Sequence, residues 1–421
     1  VSNSASDKRK VNIGVVGCGV VATAYYFPYL MNMPDAELVA VCDLEPKRTA
    51  ACARLFGAKE QYQDYFEMLQ KADIEAVLIL TAPGSHKAFA VAAATAGKHF
   101  LLQKPMAITM DDALAIKDAT RKANVKAVIE PSDHTVLHPH YRALRDLITK
   151  GVLGLPYWFI HAATAGDSYS AMLGGNPYGN AAFFKKDSGG MLFDFPYAPN
   201  QIVTLLGSCK SVMGVSRTSV PERMIVPDQG YTDFLHSATD PQNVNYWDVV
   251  MNAPKTERIA MESNDNVFSL YEMDEGWTGV FHVGRPFHPM PKGVNEGGFK
   301  IFGSEGNLIM DMNGKMASLI TTRKDLVPNA DANGWTTFDP LGDISKAGWP
   351  KPIPGGFNYY HVSTQHLVDC ILQDLEPVVG IDYGLHVTEM MWGALESSRT
   401  GQRYTMTTKL PEVTYIPEVN L

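Results

Sequence analysis

Cysteine is scarce in this chain: five residues in 421, at positions 18, 42, 52, 209 and 370. No two form a Cys-x-x-Cys pair, and the odd count with wide spacing argues against a disulfide framework or a zinc site. Reduced thiols and a cytoplasmic location are therefore expected. The opening Val-Ser-Asn-Ser-Ala-Ser-Asp has no initiator methionine and no signal-peptide apolar core, which leaves a trimmed export signal as the alternative. Long hydrophobic runs are missing too; nothing approaches the ~18 apolar residues that suggest a membrane span. A basic surface is equally absent. Net charge is −9 and the only basic run is Lys8-Arg9-Lys10, which argues against a nucleic-acid backbone as partner. Repeats and low-complexity tracts are lacking. What remains, 45% hydrophobic and 19% charged, is an ordinary globular composition. The length suits two domains at roughly 100–200 residues each.

Against that background one stretch is informative. The apolar run Val11–Val16 leads into Gly17-Cys18-Gly19-Val20-Val21-Ala22, a Gly-x-Gly-x-x-Ala turn after a strand. This is the pattern of a dinucleotide phosphate loop. Gly17 permits the tight turn, Gly19 leaves room for a pyrophosphate, and Ala22 lets the next helix pack on the strand. The helix N-terminus, with the amides of Val20 and Val21, offers N–H groups to phosphate. A helix is expected over Ala24–Met33, with Pro28 tolerable near its start. A second buried run, Glu37–Cys42, ends in Asp43, 43 − 19 = 24 positions past the second glycine. A carboxylate about 20 residues on accepts the adenosine ribose hydroxyls and repels a 2′-phosphate, favouring NAD over NADP. The alternative is an Asp that merely ends a strand. Lys47 and Arg48 follow closely enough to neutralise a 2′-phosphate, so NADP stays the second choice.

Strands are expected at 11–16, 37–42, 75–80, 98–102 and 125–129, alternating with helical patterns such as Lys47–Leu55 and His86–Ala96. Alternation of this kind means a parallel sheet with helices on both faces, and a nucleotide at the C-terminal strand ends. After about residue 130 the texture changes. A helix at Tyr141–Lys150 precedes antiparallel-type strands at 157–163, 210–216, 246–251, 257–262, 267–272, 277–283, 298–303 and 307–311. Helices are expected near 195–206, over Tyr360–Leu372 and over Leu385–Thr400. The segment 324–358, rich in Pro, Gly, Asn and Asp, reads as a long surface loop. The expected division is a domain over 11–130 and a second over 131–421.

Three further patterns carry chemistry. Thr81-Ala82-Pro83-Gly84-Ser85-His86 follows an expected strand and would lie over the nicotinamide end of a cofactor. Ala96-Gly97-Lys98-His99 leads through a strand to Gln103-Lys104-Pro105, where a lysine just past a buried strand projects into the cleft. Ser188-Gly189-Gly190 runs on through Asp194, Tyr197 and Asn200 into a helix of the second domain.

Taken in order, these motifs resemble the Gfo/Idh/MocA family of NAD(P)-dependent sugar oxidoreductases, which includes glucose–fructose oxidoreductase and inositol dehydrogenase. The resemblance covers nearly the whole chain, to Gly380-Ile381-Asp382-Tyr383-Gly384 and Ser397-Ser398-Arg399-Thr400-Gly401. It implies an α/β protein: an N-terminal Rossmann domain plus a C-terminal α+β domain with a large, mostly antiparallel open sheet. It implies NAD contacts from Gly17, Gly19, Val20, Val21, Asp43, Arg48, Thr81, Pro83, His86, Gln103 and Lys104. Lys104 matches the lysine of the family's Glu-Lys-Pro motif, and Asp194 the aspartate that orients sugar hydroxyls. The histidine usual four residues after that Asp is Ala198 here, and Tyr197 stands one residue early as the expected proton-transfer group. The bland alternatives are a surface lysine, a helix N-cap for Asp194, and a packed core tyrosine.

The chain departs from the family in two further ways. Gln103 replaces the usual Glu, and Glu130–His140 lacks the common Arg-rich pattern. His134 or His138 would face the substrate there. His134, His138 and His140 lack a supporting carboxylate–cysteine set, and no metal is expected. Trp158, His161, Tyr169, Trp247, His282, Arg285 and His288 are candidates for lining a sugar site, with Tyr169 and His134 preferred beside Lys104, Asp194 and Tyr197. Strand packing explains most of them equally well. The leading expectation is hydride transfer between NAD and a secondary hydroxyl or ketone of a sugar, polyol or glycoside. A second is NAD-dependent glycosidase chemistry through transient oxidation and elimination, with no net NADH. A third is a non-catalytic sugar-sensing relative. A small carbohydrate is the expected partner, with neither nucleic acid nor membrane, in a homodimer or homotetramer.

Overall fold

The computed structural model describes residues 9–131, 134–164, 185–225, 228–241, 244, 256–284, 298–310, 317–327, 330–338 and 359–412. Six strands open the chain: β1 (Val11–Val16), β2 (Ala36–Cys42), β3 (Glu60–Tyr62), β4 (Ala76–Ile79), β5 (His99–Leu102) and β6 (Ala127–Ile129). They form one sheet of order β3-β2-β1-β4-β5-β6, with every pairing parallel. The apolar runs are continuous because both faces are covered; Ala76, Val77, Leu78 and Ile79 are all fully buried. β3 and the helix Tyr65–Lys71 behind it were not expected from sequence. β3 is three partly exposed residues with no apolar signal, and the helix is announced only by Asp64, whose carboxylate accepts from the amides of Phe66 and Glu67.

The chain leaves β1 through the glycine turn into a π-helical turn, Ala22–Tyr26, that continues as the helix Phe27–Leu30. Pro28 lies at the second position of that short α segment, where its missing N–H removes no interior helix bond. The strand order reverses between β1 and β4. The glycine loop, Asp43, the Thr81–His86 loop, Lys104 and Glu130 all follow the C-terminal ends of these strands.

The second sheet has nine strands. These are β7 (Pro156–Thr164), β8 (Cys209–Arg217), β11 (Asn266–Met273), β12 (Thr278–Gly284), β13 (Gly298–Gly303), β14 (Gly306–Met310), β15 (Ala317–Thr321), β16 (Trp335–Phe338) and β17 (Tyr404–Thr405). Their order is β16-β15-β14-β13-β7-β12-β11-β8-β17, antiparallel throughout except for the parallel pair β7–β12. β9 (Glu222–Ile225) and β10 (Glu257–Ala260) make a separate antiparallel pair. β16 corrects the expectation of an unbroken loop over 324–358: it is a short edge strand on β15, and its four strand-favouring residues, Trp-Thr-Thr-Phe, are too few to stand out from the Pro-, Gly-, Asn- and Asp-rich stretch around them. The strand expected at 246–251 lies outside the described residues.

Alternation assigns the two faces of this sheet. In β11, Val267, Ser269 and Tyr271 are buried while Phe268 and Leu270 are exposed. The buried face packs under the helices Tyr197–Leu206 and Ile381–Thr400. The latter lies so close that a Cβ on Gly214 would overlap the main chain of Ala394. The other face carries exposed Trp158, Ile160, Val215, Phe268 and Leu270.

Two late segments return to the first domain. The helix Tyr359–Gln373 buries Leu367 and Val368 in the same cluster as Val15, Leu78, Leu101 and Val128. The helix Asp228–Ser237 buries Leu235 against Ala51, Leu55 and their neighbours. Among the described residues, no helix is long and apolar enough to cross a membrane.

Candidate functional site

At the first turn, Gly17 has φ +95°, and a Cβ there would lie 2.7 Å from the carbonyl oxygen of Leu80. Gly19 is the opposite case: a Cβ would meet nothing within 4 Å, so the loop presents bare backbone to open space. Asp43 stands beside it. Its Oδ2 accepts from the Cys18 amide at 2.8 Å and its Oδ1 from the Glu45 amide at 2.9 Å. The carboxylate is thus fixed against the glycine loop and remains partly exposed. A bare backbone turn next to a pinned carboxylate, at the reversal of a parallel sheet, fits the pyrophosphate and adenosine ribose of a dinucleotide. Arg48, on the helix Pro46–Phe56, donates from Nε to Thr232 Oγ1 at 2.9 Å, so an excursion of the second domain orients it.

The Thr81–His86 loop begins with a short 3₁₀ turn at Pro83–Ser85, and Thr81 Oγ1 lies 2.7 Å from Ser85 Oγ. Gly84 faces the second domain, where a Cβ would come within 3.0 Å of Asp187 Oδ2. His86 was expected to touch the cofactor, but its side chain is turned inward and has no exposed surface. Its Nδ1 lies 2.7 Å from the Pro105 carbonyl and its Nε2 3.0 Å from that of Thr81, and burial pushes its pKa down. It brackets two cleft loops together. Gln103 is also inward: Nε2 donates to Tyr26 Oη at 2.9 Å and Oε1 accepts from the Lys104 amide at 2.8 Å.

Lys104 points into the cleft. Its Nζ donates to Asp194 Oδ1 at 2.7 Å and to the Asp194 carbonyl at 2.9 Å. Both side chains are largely buried, at 11% and 6% exposure, so this is an ion pair shielded from solvent. Asp194 ends the short helix Met191–Asp194, which the Gly189-Gly190 turn sets at positive φ. The N-cap of the next helix is Pro196, without a side-chain cap bond, and Oδ1 of Asp194 faces Lys104. Tyr197 is the first residue of the helix Tyr197–Leu206 and half-buried. The Lys104 Nζ lies 5.5 Å from its ring centre. His134 completes the group, with its ring 6.3 Å from that of Tyr197 and 5.2 Å from that of Tyr141. Ala198, at the spacing where the family places its histidine, is buried.

Lys104, Asp194, Tyr197 and His134, distant in sequence, therefore meet at one place between the two domains. Other candidates do not join them. Trp158 and His282 lie on the exposed face of the second sheet, stacked on Phe302 and Phe268. His161 faces the opposite way and is buried against Gln201, its pKa lowered to about 4 by burial. Tyr169, Trp247, Arg285 and His288 fall outside the described residues.

Sequence reasoning missed Tyr26, Glu130, Ser363 and Thr232. Tyr26, Glu130 and Ser363 form a buried polar knot with Gln103. The signal for Glu130 was present: it is a charged residue directly after a buried strand, the same placement that singled out Asp43 and Lys104.

Residues 11–130 match a family model, Gfo/Idh/MocA, described as an oxidoreductase family with an NAD-binding Rossmann fold. D-apiose dehydrogenase of Paraburkholderia graminis is 28% identical over 197 residues, 46% of this chain and 51% of the relative. Inositol 2-dehydrogenase of Burkholderia cenocepacia is 30% identical over 154 residues, 36% and 45% of the two chains. The chain thus spans about half the length of the curated relatives it matches. Among solved structures, levoglucosan dehydrogenase with NADH and levoglucosan superposes with a TM-score of 0.73 at 21% identity, covering 95% of this chain and 100% of the other. An Agrobacterium radiobacter oxidoreductase with NAD+, L-tartaric acid and magnesium gives 0.67 at 17%, covering 94% and 98%. At such identities the likeness is one of fold.

Proposed function

Within the Gfo/Idh/MocA oxidoreductase family, to which residues 11–130 belong, we propose that this chain is an NAD-dependent oxidoreductase acting on a secondary hydroxyl or ketone of a sugar or polyol. The observation that carries the reading is the convergence of Lys104, Asp194 and Tyr197 on one cleft beside the glycine loop domain. Gly17, Gly19, Val20, Val21 and Asp43 would hold the pyrophosphate and ribose. Arg48 would flank the adenosine, and Thr81, Pro83 and Lys104 would border the nicotinamide. The bound nicotinamide supplies hydride acceptance or donation at the reacting carbon.

The chain's own residues handle the proton. Oxidising a carbinol requires its hydroxyl proton to leave, and a tyrosine of unperturbed pKa about 10 needs a nearby cation to take it near neutrality. Lys104 is that cation, and its ammonium hydrogen-bonds the reacting oxygen. Asp194 holds the ammonium in place and accepts from the neighbouring hydroxyl. His134 closes the substrate side. Aldose and polyol dehydrogenases among the relatives support the substrate class. The exposed apolar strip on the second sheet supports a homodimer or homotetramer, since such a patch usually needs a cover.

The experiment is a panel of free sugars, polyols and aryl glycosides assayed with NAD and with NADP. Accumulation of reduced NAD with a free sugar or polyol is expected. Release of aglycone without net reduced cofactor would replace this reading with glycoside cleavage. Cofactor binding with no turnover of any substrate would replace it with a sensing role.

A further inference from the structure

We propose that Glu130 is a positioning residue for Lys104, acting through Tyr26 and Gln103, and that its carboxylate fixes position 103 as a hydrogen-bond donor. The Tyr26 hydroxyl lies 2.8 Å from Glu130 Oε1 and 2.9 Å from Gln103 Nε2. A hydroxyl has one proton, and an amide nitrogen can only donate. The polarity of the string is therefore set: Gln103 donates to Tyr26, and Tyr26 donates to Glu130. The other end of the Gln103 amide, Oε1, accepts the main-chain N–H of Lys104 at 2.8 Å. The Ser363 hydroxyl, from the helix Tyr359–Gln373, also donates to Glu130 Oε1.

Every member is sequestered from water: Tyr26 is 1% exposed, Gln103 and Glu130 4%, and Ser363 0%. In such surroundings a mismatch of donors and acceptors is not repaired by solvent. The same corner reaches the other half of the site. Glu130 is held to β5 by its amide, 2.9 Å from the Leu102 carbonyl, and Asn200 Nδ2 donates to the Pro131 carbonyl at 2.8 Å. Asn200 is on the helix that Tyr197 begins. Glu130 thus ties the helix after the glycine loop to the strand end that carries Lys104, and its neighbour Pro131 holds the helix that carries Tyr197.

The role given to Lys104 rests on the function proposed above; the bonding pattern does not. Placing a carboxylate at 103 would set two acceptors against one hydroxyl proton. Moving the amide to 130 at the same time would let its two N–H groups donate to Tyr26 and to Ser363, whose hydroxyl turns to accept, while Tyr26 donates to 103 and the Lys104 amide stays satisfied.

The test compares wild type, Gln103→Glu, and the exchanged pair Gln103→Glu with Glu130→Gln. Three readouts apply: unfolding temperature of the protein without added ligands, rate of amine labelling at Lys104 by peptide mass spectrometry, and kcat and KM for a sugar found in the panel. The single variant is expected to melt lower, to label several-fold faster at Lys104, and to lose roughly tenfold in kcat with little change in KM, the scale of coupling in a buried network. The exchanged pair is expected to recover all three towards wild type. A single variant indistinguishable from wild type, or an exchanged pair no better than the single, overturns the proposal. If melting and labelling recover in the pair but no sugar is turned over by wild type, the positioning stands and the oxidoreductase reading fails.

Discussion

Lys104 Nζ lies 2.7 Å from Oδ1 and 2.9 Å from the main-chain oxygen of Asp194, a residue 90 positions later and in the other domain. The contact is both a site and a seam. Removing one partner of a buried ion pair leaves an uncompensated charge, at a cost of about 3–5 kcal/mol. Lys104→Met is expected to abolish turnover, to lower stability by that order in denaturant titration, and to leave NAD affinity largely intact. Unchanged turnover would remove the lysine from the mechanism.

Tyr197 begins its helix with its ring near the same ammonium. Tyr197→Phe keeps the ring and removes the proton-transfer hydroxyl. The expected fall in kcat is roughly 10²–10⁴-fold, the usual worth of a general acid–base group. A near wild-type rate would shift the role to His134, whose ring is 6.3 Å away.

Much of this arrangement was legible in the sequence because it is local. Strand, glycine turn and Asp43 are close in the chain, and buried parallel strands write themselves as apolar runs. Lys104 and Asp194 could be named separately from their motifs. Their pairing, and that of Arg48 with Thr232 across 184 positions, is a product of chain return and has no local signature. His86 and Gln103 show the converse. Their motif position pointed to the cofactor, but the adjoining carbonyls and the Tyr26 hydroxyl draw their polar atoms inward. β3 and β16 were missed because edge strands of three and four residues are too short to leave a periodic apolar pattern.

Coenzyme choice is expected to rest on Asp43. Its two oxygens already accept from the Cys18 and Glu45 amides, so Asp43→Ala weakens the loop as well as the ribose contact. The kcat/KM ratio of NAD over NADP should fall by about tenfold or more, matching the ~1.5–3 kcal/mol of a hydrogen bond to a charged group. A preference unmoved by the substitution would assign selectivity to the Arg48–Thr232 side of the groove.

Acid sensitivity has a specific source. His366 and His386 are buried, and burial lowers each pKa to about 4. Each imidazole also accepts a main-chain N–H through Nε2: His366 from Val378 at 2.9 Å, His386 from Cys209 at 3.0 Å. Protonation would remove those acceptors. Both folded-state values lie below the ordinary 6.5, so the unfolded chain binds more protons in between. The stability these groups contribute is present above about pH 6.5 and is lost as pH falls towards about 4. Unfolding temperatures should drop across that window. His366→Gln and His386→Gln should each flatten the drop; a pH dependence identical to wild type would place the acid-sensitive groups elsewhere.

Gly17 and Gly19 make a paired test of the cofactor loop, because the same added methyl meets different surroundings. At Gly17 the backbone has φ +95°, and the methyl would press on the Leu80 carbonyl at 2.7 Å. Gly17→Ala should therefore displace the loop from the end of β4 and lower both stability and NAD affinity. At Gly19 a methyl meets no protein atom within 4 Å. The folded chain has room for it, so Gly19→Ala should melt within about ±0.5 kcal/mol of wild type, as surface changes usually do. The same methyl would stand where a pyrophosphate has to approach the backbone, and NAD affinity should fall sharply. Calorimetric titration with NAD beside a denaturation curve separates the two effects. An alanine at 19 that binds NAD as wild type does would mean the dinucleotide does not cross this loop, and the site would have to be sought along another strand end.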